Sequence, residues 1–257
     1  GMDGGECGLK TTSIIIPNFN GLSYLKDCIY SIREHTHLPY ELIVVDNGST
    51  DGSVDFCLSE RVTIVSLGYN AGFPAACNLG LKVASGDALL LLNNDVIVTE
   101  NWLFNMQRCL YSQEEIGIVG PMTNFASGAQ QIDEPFTNIG DMAARFNRPD
   151  RKKWKSTNRI VGMCMLFKRE LLERIGYLDE RFSPGHFEDD DFCYRARQAG
   201  FRLMICGDVF VFHHGSASFG RQGEERVQRL IRENRQKFLE KWGLDPLQFV
   251  QSKEAAS

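Results

Sequence analysis

No hydrophobic run in these 257 residues approaches the roughly 20 residues that a membrane-spanning helix needs. The eight cysteines form no C-x-x-C pair, which removes the usual zinc and dithiol motifs. Most of them lie inside apolar stretches, as small buried hydrophobes do, and this use fits a reducing, cytoplasmic setting. Neither charge sign dominates. Against 33 acidic residues stand 28 basic ones, a net charge of -5, which argues against general nucleic-acid binding. Neither Gly-x-Gly-x-x-Gly nor Gly-x-x-x-x-Gly-Lys-Ser/Thr occurs, so a nucleotide would be gripped by side chains and metal and not by a glycine-rich phosphate loop. There is no internal repeat and no low-complexity tract. The first residues are polar and glycine-rich and do not read as a signal peptide. Gly1 before Met2 reads as a tag-cleavage scar, so residues 1–10 are set aside as a tail.

The remaining composition, 43% hydrophobic and 24% charged, is that of a soluble globular domain. Apolar runs alternate with helical patterns. Thr11 to Pro17 holds Ile14-Ile15-Ile16, a β-branched strand, and Leu22, Leu25, Ile29 and Ile32 recur at helical spacing. Glu41 to Asp46 and Val62 to Ser66 read as strands, with a short helix to about Leu58 between them and a helix from Pro74 to Val83 after. Ala88 to Leu92 is a run of five apolar residues that fits a strand buried on both faces. This alternation predicts an α/β fold with a doubly wound, mostly parallel sheet flanked by helices. Three strands end in polar clusters: Asn18-Phe19-Asn20, Asp46 to Asp51, and Asn93-Asn94-Asp95. Each alone fits a turn. On one edge of a parallel sheet, the carboxyl ends of strands are also where ligands bind.

Farther on, the pattern predicts a helix over 100–111, strands over 116–119, 161–167 and 209–212, and helices over 169–176, 188–199 and 221–242. Residues 122–159 show no clear period. Their second half, Arg145 to Arg159, carries seven basic residues against Asp150 alone. Glu188-Asp189-Asp190-Asp191 opens a helix, where acids suit the dipole. Asp189, Phe192, Ala196 and Ala199 share a stripe, which predicts an inward Asp189 and makes it a general-base candidate. Asp191 is expected on another face, paired with Arg195 at i+4. The strand ending in His213-His214 closes on imidazoles that suit either a structural role or a metal.

Together the stretches SIIIPNFNG, ELIVVDNGSTDGS, NAGFPAACNLG, GDALLLLNNDV, GYLDERFSPGHFEDDDFCYRARQAG and VFHHGSASFG are ordered and well spaced. In them the chain resembles the family 2 glycosyltransferases with the GT-A fold, in particular a rhamnosyltransferase-like branch. The resemblance implies one GT-A domain over 11–220, with 11–98 holding the nucleotide and 99–220 the acceptor and base, followed by a helix and tail over 221–257. It implies an inverting transfer from a dTDP-, UDP- or GDP-linked sugar to a hydroxyl of a glycan or lipid-linked acceptor. Pro17, Phe19, Asn20 and Asp46 would line the base pocket, and Asn70, Asn78, Asn93 and Asn94 would add nucleotide-sugar contacts. Asp95 would hold Mg²⁺ or Mn²⁺, with His213 as the second protein contact. Asp189, preceded by Glu188, would be the catalytic base. Asn93 replaces the first acid of the family's Asp-x-Asp, which leaves one fewer anionic ligand and weak metal binding before the diphosphate arrives. The Gln-x-x-Arg-Trp of processive polymerases does not occur, so single-sugar transfer in cell-surface polysaccharide or glycan synthesis is expected.

A non-catalytic nucleotide-sugar or glycan-binding protein on the same fold is the alternative. A sugar nucleotidyltransferase is a third reading, disfavoured because Pro17-Asn18-Phe19-Asn20 is not a glycine- and basic-rich phosphate loop. The segment Arg145–Arg159, with Phe146 and Trp154, is expected either to meet a phosphate-bearing acceptor or an anionic membrane surface, or to be a solvated loop.

Overall fold

A computed structural model describes residues 10–215 and 220–250. The tail before residue 10, the end of the VFHHGSASFG stretch and the C-terminal tail from residue 251 lie outside them.

The chain opens with β1 (Thr12–Asn18), α1 (Leu22–His35), β2 (Tyr40–Asp46), α2 (Ser53–Ser59), β3 (Thr63–Ser66), α3 (Phe73–Val83) and β4 (Ala88–Leu92). Then follow β5 (Val96–Ile97), α4 (Trp102–Leu110), β6 (Ile116–Thr123), α5 (Ile139–Phe146), β7 (Trp154–Thr157), β8 (Cys164–Lys168) and α6 (Arg169–Ile175). The last elements are α7 (Glu188–Gln198), β9 (Arg202–His213) and α8 (Gly220–Trp242).

One sheet runs in the order β3-β2-β1-β4-β8-β6-β9-β5, with β7 also on β9. The first four strands are parallel neighbours. β8 is antiparallel to both β4 and β6, so β6 runs with β4, and β9 runs parallel to β6. The carboxyl ends of β1, β2, β4, β6 and β9 therefore share one edge. Alternating side chains sort the core into two layers. Ile14, Ile16, Val44, Leu90 and Leu92 pack toward α1 and α4; Ile15, Ile43, Leu89 and Leu91 pack toward α3 and α7. Burial on both faces explains why β4 is apolar at every position.

The patternless stretch 122–159 contains α5 and β7, both short and largely exposed, which is why no period shows. β9 is longer than expected. Its register against β6 shifts between Pro121 and Met122, passing from Cys206 to Phe210, and the polar Gly207-Asp208 inside that shift hides the strand from hydropathy. Asp208 is buried there, accepting from Asp150 N and Trp154 Nε1, both at 3.0 Å.

Candidate active site at the carboxyl edge of the sheet

The polar strand ends bond to one another. Asn18 donates through Nδ2 to Asp46 Oδ1 at 3.1 Å and accepts from Asn94 Nδ2 at 2.9 Å. Asp46 is buried and also accepts from Ser49 N at 2.8 Å and Ser49 Oγ at 2.7 Å. It orders the β2–α2 turn. Asn20, at φ +48, accepts from Thr50 N at 2.8 Å, which ties the two loops together. Neither Asp46 nor Asn20 lines the cleft directly.

That cleft, about 330 Å³, is lined by six of the predicted residues: Pro17, Phe19, Asn70, Asn93, Asn94 and Asp95. Phe19 is 49% exposed and offers an open ring face. Asn47 and Pro184 line the cleft as well and were not among the expected contacts. Asn47 accepts from Ala71 N at 3.2 Å, and Asn70 accepts from Gly72 N at 3.0 Å, so both amides shape the 70–72 turn. Gly72 sits at φ +87, and a Cβ there would overlap Ser183 Oγ. This close approach brings the 183–187 loop to the cleft, where Phe73 N donates to Pro184 O at 3.1 Å.

Asn78 does not reach the cleft. It is buried, donates to Leu178 O at 2.9 Å and Glu180 Oε2 at 3.0 Å, and accepts from Leu178 N at 3.0 Å. Its amide is used up in holding the 178–180 turn, which corrects its expected role as a nucleotide-sugar contact.

Pairing of β5 with β9 sets Val96 opposite His213. Asp95, one residue earlier, thereby brings Oδ1 to 3.2 Å from His213 Nε2. His213 Nδ1 lies 2.8 Å from Phe125 O. Burial works to lower the His213 pKa, but Asp95 and the Phe125 carbonyl outweigh it and raise it above the ordinary value. Asn124 clasps the His213 backbone at both N and O, at 2.8 and 3.0 Å. It lies in the stretch without a readable period, and no sequence signal marked it.

A divalent ion fits this pair in chemistry. The Phe125 carbonyl takes the Nδ1 proton, which leaves the Nε2 lone pair beside a carboxylate oxygen, the usual arrangement of a ligating histidine. Among the described residues no third His, Cys, Asp or Glu joins them. Among the described residues, Asp95 and His213 are thus the two acidic or imidazole donors that would hold the ion.

At the start of α7 the four acids have four environments. Asp189 is half-buried, and its Oδ2 accepts from Gly162 N at 2.9 Å. Asn93 N in turn donates to Met163 O at 2.9 Å, so Asp189 and the Asn93-Asn94-Asp95 turn are both bonded to the 162–163 backbone. The inward face expected for Asp189 belongs to its neighbours. Glu188 is buried, with Oε2 unpartnered among the described residues, and burial followed by the Asp189 charge pushes its carboxyl well up. Asp190 is buried against Arg159 Nε at 2.8 Å; burial and Asp189 push it up to about 7 while Arg159 pulls down. Asp191 pairs with Arg195 Nε at 3.0 Å as expected, but on a fully buried face. There it also meets Lys241 Nζ at 2.7 Å and Trp242 Nε1 at 2.8 Å, because α8 covers it.

The family described as Glycosyl transferase family 2 matches residues 13–176, well over half of the chain. The O-antigen biosynthesis protein RfbC of Myxococcus xanthus is 27% identical over 82% of this chain, which spans only 18% of RfbC. The low-salt glycan biosynthesis hexosyltransferase Agl10 of Haloferax volcanii is 24% identical, over 80% of this chain and 68% of its own length. Among solved structures, the mannosyltransferase PcManGT of Pyrobaculum calidifontis, in complex with GDP-Man and Mn²⁺, superposes with a TM-score of 0.62. That match has 22% identity and covers 87% of this chain and 61% of that one, a likeness of fold. With its sheet order, its edge of polar strand ends and this profile match, the chain belongs to glycosyl transferase family 2 and has the GT-A fold.

Proposed function

We propose that the protein moves a single sugar from a nucleotide-sugar donor to an acceptor hydroxyl, with inversion and with the help of Mg²⁺ or Mn²⁺. The observation that carries this reading is that Asp95 pairs with His213 while the neighbouring Asn93 and the α7 carboxylate Asp189 both bond the 162–163 backbone. Asp95 and His213 would hold the ion. When bound, the ion supplies Lewis-acid stabilisation of the negative charge on the departing diphosphate. Phe19 covers the base, and Asn70, Asn93 and Asn94 offer amides to the ribose and phosphates. Asn20 and Asp46 support this pocket from behind by fixing its loops. Asp189 takes the proton of the acceptor hydroxyl as that oxygen attacks. The Gly162 N–H holds Oδ2 of the carboxylate, and burial, followed by the Asp189 charge, works against a second negative charge on Glu188 beside it.

The division into a nucleotide half to about residue 98 and an acceptor half beyond it follows the same logic, since the cleft draws almost wholly on residues 17–95. The GDP-Man and Mn²⁺ of the mannosyltransferase neighbour support donor class and metal. The transferred sugar is a hexose or a deoxyhexose. Among the described residues no helix is long and apolar enough to cross a membrane. A role in cell-surface glycan synthesis agrees with the work named for RfbC and Agl10, and we place it in the cytoplasm, at the inner face of the membrane, as part of the same reading.

A thermal-shift screen of dTDP-, UDP- and GDP-sugars with and without Mn²⁺ identifies the donor, because a ligand of the native state raises the melting point. Turnover of that donor, lost in Asp189→Asn with the thermal shift kept, supports the reading. Equal turnover in the variant overturns it and leaves a binding protein.

A further inference from the structure

A second cavity lies outside the cleft. It has a volume of about 440 Å³ and sits where β6, β7 and β9 meet the 129–134 loop and α5. Its floor is apolar, made by Met122, Ile132, Phe146 and Ile205. Lys152, Lys153 and Lys155 form one wall.

The alternation of β7 sorts the basic segment. Lys153 and Lys155 project to the cavity side, while Trp154 turns to the opposite face, where Arg108 and Arg151 lie over its ring. Arg159 is withdrawn altogether, with Nε on Asp190 and NH1 donating to Ser127 O at 3.0 Å. The segment expected to act as one patch is thus split: three lysines line a cavity, Arg145 pairs with Glu134 on its rim, Arg151 lies over Trp154 and Arg159 is bound to Asp190.

Among the described residues, none of the three lysine ammonium groups has a carboxylate within ion-pair distance. Of the two acids on the rim, Glu134 is engaged by Arg145. Three like charges around one hollow repel, and an anion placed among them removes that cost. An inorganic anion alone would leave the apolar floor wet, since about 440 Å³ is far more than one phosphate fills.

The cavity lining is joined through the chain to segments that support the active site. Met122 precedes by two residues Asn124, which clasps His213. Ala129 precedes Gln130, whose Oε1 accepts from Val161 N at 2.8 Å, next to the Gly162 that holds Asp189.

We propose that this cavity binds the acceptor by an anionic, chain-bearing end: a phosphate or diphosphate ester on Lys152, Lys153 and Lys155, with the adjoining aliphatic carbons on Met122, Ile132 and Phe146. The identity of the occupant as an acceptor rests on the glycosyl-transfer reading; the binding itself does not. Anchored there, a sugar on the same phosphate extends along β6 toward Asp189.

The test uses octyl phosphate, octyl glucoside and inorganic phosphate, each below any micelle concentration, titrated calorimetrically into the whole chain and into a Lys152→Gln/Lys153→Gln/Lys155→Gln variant. Octyl phosphate is expected to bind the wild type at least tenfold more tightly than either other probe, and at least tenfold more weakly to the triple variant. Phe146→Ser, a half-buried position, is expected to weaken octyl phosphate and leave inorganic phosphate unchanged. Equal binding to wild type and triple variant, no binding of octyl phosphate, or inorganic phosphate bound as tightly as octyl phosphate overturns the proposal. So does loss of anionic-vesicle sedimentation in the triple variant with octyl phosphate binding intact, which would mark a membrane surface. Donor thermal shifts run in parallel separate the two readings: a wild type that binds octyl phosphate but shifts with no nucleotide sugar fails as a glycosyltransferase and keeps the site.

Discussion

The backbone N–H of Gly162 donates to Asp189 Oδ2 at 2.9 Å, while Asp190 N donates to its Oδ1 at 2.9 Å, so backbone amides hold both carboxylate oxygens of this half-buried residue. Removing the base without removing its shape isolates its role. Asp189→Asn is expected to lower kcat by roughly 10²–10⁴, the range for a lost general base, with donor affinity unchanged. Single-turnover kinetics with the donor found by thermal shift would show the split, and a fall in donor affinity that matched the fall in rate would contradict it.

Among the described residues no third His, Cys, Asp or Glu joins Asp95 and His213, so metal binding is expected to depend on the nucleotide. Titration of free Mn²⁺ by electron paramagnetic resonance should show weak uptake by the protein alone and stronger uptake with nucleoside diphosphate. Asp95→Ala should abolish the nucleotide-linked uptake. Tight Mn²⁺ binding without nucleotide, lost in Asp95→Ala, would refute the two-donor site.

Asp191 is fully buried among Arg195, Lys241 and Trp242, and this cluster fastens α8 to α7. Asp191→Ala leaves two cations without their shared partner and is expected to cost about 3–5 kcal/mol, as for a broken buried pair. Urea unfolding measures this directly. A change under about 1 kcal/mol would mean that solvent screens the cluster.

Glu188 and Asp190 both have raised pKa values, Asp190 to about 7. A carboxyl raised on folding binds more protons in the native state than in the unfolded one, so stability falls as pH rises from about 4, the unfolded value, to about 7. Carboxyls held low, such as Asp51 and Asp179, act in the other direction and only below about pH 4. Glu188→Gln mimics the protonated form and is expected to flatten the loss between pH 5 and 8. Parallel urea curves at the two pH values test this, and an unchanged slope would count against a protonated Glu188.

Asn234 on α8 is buried and donates through Nδ2 to Phe182 O at 2.8 Å, Gly185 O at 2.7 Å and His186 O at 3.1 Å. It holds the loop that carries Pro184 to the cleft. Asn234→Ala should destabilise by about 1–3 kcal/mol, the cost of stranding buried carbonyls, and raise the donor KM more than it changes kcat. Steady-state kinetics on the folded fraction would show which parameter moves.

Local pattern was enough for much of this. The apolar run Ala88–Leu92, the β-branched run at Ile14–Ile16 and the helical spacing of Leu25, Ile29 and Ile32 report burial on two faces, and burial is what orders a doubly wound sheet. The cleft residues of β1 and β4 were legible because a polar cluster ending an apolar strand is itself a local feature. Asn78 shows the limit: its place in a family-like stretch pointed to the ligand, but a contact one hundred residues away had already claimed its amide. The acids of α7 show it again. Spacing predicted which residues share a stripe, yet α8, Arg159 and Gly162 decided which of them are buried, paired or open, and all three come from distant parts of the chain. Sequence by itself determined the first four strands, the edge they end on and the residue types at that edge, because these follow from near-neighbour hydrophobic periodicity. Only tertiary structure brought Asp95 against His213, turned three lysines toward one cavity and left Asp189 at the edge, because hydrogen bonds and burial between distant segments set the direction of a side chain.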